Sequence, residues 1–214
     1  MKQLVITGGS GGLGNAILSE FPESAWKIFA PPRDELDVGD PEAIRRILTA
    51  RTADLFIHSA GIIRDAPLLR QDENAWDEVM AVNYQGAADC AAALLPAMIR
   101  RGAGHLVFIS SYSALHPPVG QVAYATAKAA LLGLVNSLAR ENGRHGIRVN
   151  AILPGFLETR MTRAVTDRRK SAILEDHVLG CFNTPGAVAK FIRHLHDDLP
   201  AVSGQIFQLD SRVS

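Results

Sequence analysis

The sequence predicts an α/β fold: a doubly wound parallel sheet of six or seven strands, trimmed at one edge, with helices on both faces. Three observations support it. Short uninterrupted apolar runs recur at Leu4-Val5-Ile6, Leu55-Phe56-Ile57 and Leu106-Val107-Phe108-Ile109. Such runs read as strands covered on both faces, as in parallel sheets, whose neighbours are joined by crossover helices. The first run leads into Thr7-Gly8-Gly9-Ser10-Gly11-Gly12-Leu13-Gly14 and then a helical pattern from Asn15. In that context the glycines let backbone pass close to a pyrophosphate, and the helix N-terminus offers it free N–H groups. At 214 residues the whole chain, 1–214, has the size of one domain.

The elements follow in order. Trp26 to Ala30 is the second strand. The next stretch, Pro31-Pro32-Arg33-Asp34-Glu35-Leu36-Asp37-Val38, leaves three or four residues where a crossover needs about a dozen. Leu36-Asp37-Val38 is therefore expected at most to line the sheet edge. Arg33 stands just past the second strand, where the adenosine ribose of a dinucleotide would lie. A guanidinium there suits a 2′-phosphate, and the neighbouring Asp34 and Glu35 suit a free hydroxyl. Asp40-Pro41 starts a helix with Ile44, Ile47 and Leu48 on its apolar face. The strand Leu55–His58 ends in Ser59-Ala60-Gly61, small enough for close approach of a ligand, and His58 reads as a hydrogen-bonded histidine at the core edge. After a polar loop over 62–72, one long helix is expected from about Asn74 to Arg101, kinked at Pro96, with Asn83 in its middle, where asparagine is a poor helix former.

The strand Leu106–Ile109 ends at Ser110-Ser111, the edge at which ligands sit in such sheets. A loop with Pro117-Pro118 precedes a helix running to about Asn142, and the strand Ile147–Ile152 ends in Leu153-Pro154-Gly155. Residues 156–182 are helical in part, with Arg168-Arg169-Lys170 as a solvated basic run. Thr184-Pro185 caps a helix to about Asp198, and Gln205 to Leu209 is the final strand. His194 and His196, two apart on that helix, diverge and do not suit a metal.

Bulk composition narrows the function classes. With 22 basic and 22 acidic residues the formal net charge is zero, which argues against nucleic acid or an anionic membrane as partner. No uninterrupted apolar run reaches the ~20 residues of a membrane span. Cys90 and Cys181 are far apart, without metal-ligand spacing, so a reducing cytoplasm is the expected setting.

The stretch Tyr124-Ala125-Thr126-Ala127-Lys128 carries the chemistry. A spacing of four puts both side chains on one helix face. An ammonium there is expected to lower the phenol's pKa from about 10 toward the range useful in acid/base catalysis.

The ordered set Thr7-Gly8…Gly12-x-Gly14, His58-Ser59-Ala60-Gly61, Asn83, Ser111, Tyr124-x-x-x-Lys128 and Pro154-Gly155…Thr159 resembles the short-chain dehydrogenase/reductase family over nearly the whole chain. The resemblance implies a Rossmann-like fold and an NAD(P)-dependent oxidoreductase, with NADP(H) favoured over NAD(H) and no metal. It implies Ser111, Tyr124, Lys128 and Asn83 as catalytic residues: Tyr124 exchanging a proton with substrate oxygen, Lys128 tuning it and binding the nicotinamide ribose, Ser111 holding the carbonyl, and Asn83 holding a water that links Lys128 to solvent. Gly8, Ser10, Gly12, Leu13 and Gly14 would cradle the pyrophosphate, Arg33 and Asp37 meet the adenosine end, Ala60 and Gly61 the adenosine-side ribose, and Pro154, Gly155, Leu157 and Thr159 the nicotinamide end. The expected substrate is a small ketone or aldehyde, with a 3-oxoacyl thioester as the specific alternative and a non-catalytic NADP(H) sensor or scaffold as the rival class. A homodimer or homotetramer is implied. The chain departs from the family pattern at His58 and Ser59, where two asparagines are usual, and in the short connection after the second strand.

Overall fold

The structure, a computed structural model, describes residues 1–213. Six parallel strands form one sheet: β1 (Lys2–Thr7), β2 (Trp26–Phe29), β3 (Leu55–His58), β4 (Gly104–Ile109), β5 (Ile147–Leu153) and β6 (Ile206–Gln208), in the order β2-β1-β3-β4-β5-β6. The strand order reverses between β1 and β3, where Thr7 pairs with His58. The crevice beyond the carboxyl ends at such a reversal is where open α/β sheets bind ligands.

The two sides of the sheet are read directly from strand alternation. Val5, Phe56, Leu106, Phe108, Val149 and Ala151 point into one apolar cluster, and Leu4, Ile6, Ile57, Val107, Ile109 and Ile152 into the other. The first cluster is closed by α2 (Pro41–Leu48), α4 (Gly86–Arg101) and α5 (Val122–Asn142), the second by α1 (Gly12–Glu20) and α7 (Pro185–Asp197). Asp40 and Thr184 cap α2 and α7 through the N–H groups of Glu42 and Ala187. α6 (Asp167–Glu175) lies over the cleft rather than in the core.

The short connection after β2 holds no strand among the described residues. Leu36 and Val38 are instead buried in the α2/α4 cluster, and the Val38 carbonyl packs so closely on Gly86 that a Cβ there would stand 2.2 Å from it. The trimmed edge is thus a loop that lends two side chains to the core.

The expected single helix over 74–101 is a correction. α3 (Glu73–Met80) and α4 are joined by a π-helical turn, Ala81–Gln85, while α4 itself runs on through Pro96. The Asn83 amide donates to the Val79 carbonyl at 3.0 Å, competing with backbone hydrogen bonding at the point where the helix widens. α5 is long and apolar. With the turn after it, Val122–His145 is long enough and, at a mean hydropathy of 1.3, apolar enough to cross a membrane by length and composition. Here it packs on the sheet, with Leu131 and Val135 fully buried.

At the amino ends of β4 and β5 a polar chain ties α7 to the sheet. Asn150 accepts from the Gln205 N–H and donates Nδ2 to His105 Nε2, so the proton of neutral His105 sits on Nδ1 and is given to His196 Nδ1 at 3.3 Å. The ring centroids are 5.5 Å apart with planes within 9°, a separation that this hydrogen bond produces when the rings lie edge to edge in nearly one plane. Burial, then Lys2, pushes His196 down to about 4, and burial, then Arg148, holds His105 well below the usual imidazole range.

Both rings are therefore neutral when folded and take up protons more readily when unfolded. Their stabilisation is present in full above the ordinary value of 6.5 and is lost as pH falls toward about 4. The urea midpoint is expected to drop across that window, and less steeply in His196→Gln, as followed by circular dichroism.

Candidate active site

The carboxyl ends of β1, β3, β4 and β5 open onto one cleft of ≈ 1090 Å³. Its lining includes Gly8, Ser10, Gly12, Leu13, Gly14, Arg33, Asp37, Ala60, Gly61, Ser111, Tyr124, Lys128, Pro154, Gly155, Leu157 and Thr159. All the candidate residues named from the sequence meet there except Asn83, which lies fully buried behind Gly61.

The glycine turn has the shape a dinucleotide needs. Gly8 has φ +72°, and a Cβ on it would stand 2.5 Å from the Ala60 nitrogen. A Cβ on Gly14 would meet the Gly8 carbonyl at 2.2 Å, and one on Gly12 would meet Thr159 at 3.0 Å. The turn is therefore packed backbone to backbone at the head of α1, with no side chain between its N–H groups and the cleft, and these residues fit a pyrophosphate.

Tyr124 and Lys128 lie one turn apart on α5. Ser111 caps a 3₁₀ turn, Tyr112–Ala114, accepting from Ser113 N–H at 3.1 Å, and lines the same cleft as Tyr124. Ser110 is excluded from this role because its hydroxyl donates to the Lys128 carbonyl at 2.8 Å.

The electrostatics correct one expectation. Lys128 Nζ is 5.7 Å from the Tyr124 ring centroid and donates to the Ile109 carbonyl at 2.9 Å. Burial raises the Tyr124 phenol above its usual 10, the Ser111 hydrogen bond draws it back in part, and Asp65 raises it further. Burial pushes Lys128 down to about 8. Burial thus favours Tyr124 as a neutral phenol.

Asn83 is tied to the chain beside it. Its Nδ2 donates to the Ile62 carbonyl at 2.9 Å and its Oδ1 accepts from Ile62 N–H at 3.2 Å. A Cβ on Gly61 would stand 2.7 Å from that Oδ1 and 3.5 Å from Lys128 Nζ. The π turn thus brings Asn83 against the turn after β3 and beside the lysine.

Arg33 and Asp37, assigned separately to the adenosine end, pair with each other at 3.0 Å, and Asp37 also accepts from Gly39 N–H. His58 shares a 3.0 Å hydrogen bond with the Thr7 hydroxyl; its Nε2 has no partner among the described residues, and burial, then Lys128, pushes it down to about 3. In the basic run, Lys170 pairs with Glu158, while Arg169 lines the cleft. Among the described residues no group of three His, Cys, Asp or Glu side chains is placed to hold a metal.

Sequence reading missed the groups that close the other side of the site. Gln121 donates to Asp65 at 2.8 Å and accepts from the Ser113 hydroxyl at 2.9 Å, pinning the 62–72 loop over the start of α5. The carboxyl-terminal residues Asp210 and Arg212 reach Gly155 and Tyr112. No local pattern announces contacts this distant in sequence.

A glycine turn of this shape, with Ser, Tyr and Lys converging on one sheet edge, defines a dinucleotide-dependent oxidoreductase site. The family described as Enoyl-(Acyl carrier protein) reductase matches residues 26–212. The 3-oxoacyl-acyl-carrier-protein reductase of Vibrio cholerae is 30% identical over 217 residues, covering 91% of this chain and 89% of its own. The acetoacetyl-CoA reductase of Synechocystis is 31% identical over 228 residues, covering 98% and 95%. A crystal structure described as an NAD(P)-dependent gluconate 5-dehydrogenase from Beutenbergia cavernae, with NADP bound, superposes with a TM-score of 0.91 at 27% identity, covering 98% of this chain and 95% of that one. The chain belongs to the short-chain dehydrogenase/reductase family and is an NAD(P)-dependent oxidoreductase acting between a carbonyl and an alcohol.

Gly14→Ala tests the turn. Its Cβ meets backbone rather than a movable side chain, so overpacking of about 1–3 kcal/mol is expected. Thermal denaturation should show the loss, and fluorescence titration should show weaker NADPH binding.

Proposed function

We propose that the protein reduces a ketone or aldehyde at the expense of NADPH, with Ser111, Tyr124 and Lys128 as its catalytic residues and Asn83 as the residue that positions the turn beside them. The observation that carries this reading is the meeting of Ser111, Tyr124 and Lys128 in one cleft with the glycine turn, with Lys128 held on the Ile109 carbonyl at 2.9 Å. A phenol kept neutral by burial is ready to give a proton to a carbonyl oxygen as that oxygen gains charge. Ser111 donates a second hydrogen bond to the same oxygen, stabilising the developing negative charge. Lys128, anchored on the end of β4, supplies a positive charge that grows in effect as the phenolate forms. Bound nicotinamide dinucleotide supplies the hydride.

The glycine turn with Ser10 and Leu13 would hold the pyrophosphate, Ala60 and Gly61 the adenosine-side ribose, and Pro154, Gly155, Leu157 and Thr159 the nicotinamide end. Two observations favour the phosphorylated cofactor: the NADP bound in the structural relative, and Arg33, whose Nε alone is engaged by Asp37. Reduction of a 3-oxoacyl thioester is the specific alternative, supported by the names of the relatives from Vibrio cholerae and Synechocystis. A non-catalytic sensor would have no need of Ser111, Tyr124 and Lys128 together in the cleft.

The chain works as one domain in a reducing cytoplasm, a setting supported by the unpaired Cys90 and Cys181. It forms a homodimer or homotetramer. The exposed face of α5 carries the small residues Thr126, Ala129 and Gly133, followed by Asn136 and Ser137, and is flat enough to pack on a second copy.

Tyr124→Phe is expected to lower kcat by about 10²–10⁴-fold, while NADPH binding, followed by fluorescence, stays within a few fold of the original. Retained turnover would refute the mechanism. The unaltered protein should oxidise NADPH faster than NADH, and Arg33→Ala should lower that preference by about tenfold, as one lost charge-assisted hydrogen bond predicts. Loss of Lys128 charge as pH rises through about 8 should lower kcat/KM for reduction there, and Lys128→Arg should remove that inflection.

A further inference from the structure

The wall of the cleft beside Ser111 is built around one guanidinium. Arg212 comes from the carboxyl-terminal segment after β6, which continues past the carboxyl end of β5: Leu209 N–H donates to the Leu153 carbonyl at 2.8 Å, and Asp210 packs on Gly155, where a Cβ would stand 2.6 Å from its own. A backbone bridge between His177 and Arg212, together with the Val178 N–H to Ser211 carbonyl bond, fastens the segment to the turn after α6.

Three contacts then orient the Arg212 side chain. Its Nε donates to Asp210 Oδ2 at 2.8 Å, and its Nη2 donates to the same oxygen. Its Cζ lies 3.4 Å from the centroid of the Tyr112 ring, the residue that follows Ser111. His116 stacks on Tyr112 at 4.5 Å. Arg212 and the two rings all line the cleft.

This group differs from the other charged residues around the cleft. Arg33 pairs with Asp37 at the adenosine end, and Arg160, Arg169, Asp65 and Asp176 are solvent-exposed. The Arg212 side chain is 8% exposed and that of Asp210 0%. Asp210 takes the Nε/Nη2 edge of the guanidinium, and Tyr112 takes a face. The remaining edge, Nη1 with the second hydrogen of Nη2, makes no hydrogen bond among the described residues. Two parallel N–H groups held on a rigid support match the two oxygens of a carboxylate. Because the supporting contacts are already made, little rotamer entropy remains to be lost on pairing.

We propose that Arg212 is a specificity residue that pairs with a carboxylate carried by the carbonyl substrate, so that the substrates are oxo acids. The proposal rests on the reductase reading and narrows it: the carbonyl sits on Ser111 and Tyr124, and the carboxylate sits on the guanidinium behind Tyr112. A thioester, which has no free carboxylate beside its carbonyl, leaves that edge unpaired.

The test compares acetoacetate and levulinate with their methyl esters in NADPH oxidation, for the unaltered protein, Arg212→Gln and Arg212→Lys. The expected result is a kcat/KM ratio of acid to ester of about tenfold or more, the worth of a hydrogen bond to a charged group. That ratio should collapse toward one in Arg212→Gln, mainly through KM for the acid, and be partly restored in Arg212→Lys. Because the ratio compares two substrates on one protein, a variant with less folded material still reports it. Thermal shifts by acid and ester in the presence of NADP⁺ give a readout without turnover: an acid-specific shift that vanishes in Arg212→Gln supports the proposal. Equal handling of acid and ester by the unaltered protein in both assays overturns it, as does a ratio that survives Arg212→Gln. Failure of every carbonyl compound to oxidise NADPH counts against the reductase reading alone, and the thermal shifts then decide the role of Arg212.

Discussion

A buried lysine is the constraint on which the rest of this site depends. Lys128 is 4% exposed and joins two elements twice over: its Nζ donates to the Ile109 carbonyl at the end of β4, and its own carbonyl accepts from Ser110. That reciprocal pair sets the height of α5 against the sheet. Tyr124, one turn earlier, must then stand over Ser111, the next residue of the same strand end. Removing an ammonium from water is costly, and the depressed pKa of about 8 is the expression of that cost. The fold meets it by giving the charge fixed carbonyl dipoles, and the same preorganised field is available when negative charge develops on the phenol and on substrate oxygen.

Around this anchor, irregular structure occurs where the site needs it. The helix that follows β3 widens into a π turn at Asn83, and the amide released into that turn holds Ile62 by both of its backbone groups. Gly61 must be glycine because Asn83 and Lys128 occupy the space of its side chain. At the other end, Gly8 and Gly14 press backbone against backbone so that the turn's N–H groups stay bare. These are costs in local stability, accepted by a sheet whose central strands are covered on both faces.

The carboxyl-terminal segment closes one wall of the cleft, laying Asp210 and Arg212 between Gly155 and Tyr112. In the proposed mechanism the strand ends and α5 carry the hydride and proton exchange, and in the role proposed for Arg212 the residues after β6 select the substrate. Chemistry and selectivity would then be carried by different parts of the chain, so that one can vary without disturbing the other.

Much of this was legible in the residues. The apolar runs place the strands because a strand covered on both faces has no polar side to show. The glycine turn and the Tyr124–Lys128 spacing announce themselves because their geometry is local, set within eight residues and within one helical turn. The six-stranded sheet with a trimmed edge followed from a connection too short to cross over. Three things lay outside the sequence. The direction in which Tyr124 and Lys128 shift depends on how deeply they are buried, and burial raises the phenol and lowers the ammonium. The π turn at Asn83 meets the Ile62 backbone, which a separate loop presents to it. The Arg33–Asp37 pair and the Arg212 wall depend on where loops come to rest. The sequence by itself determined the fold class, the glycine turn and which side chains are candidates for the reaction, since those are properties of spacing. The tertiary structure decided their protonation, their supports and the second wall of the cleft, since burial and long-range contact exist only once the chain has closed on itself.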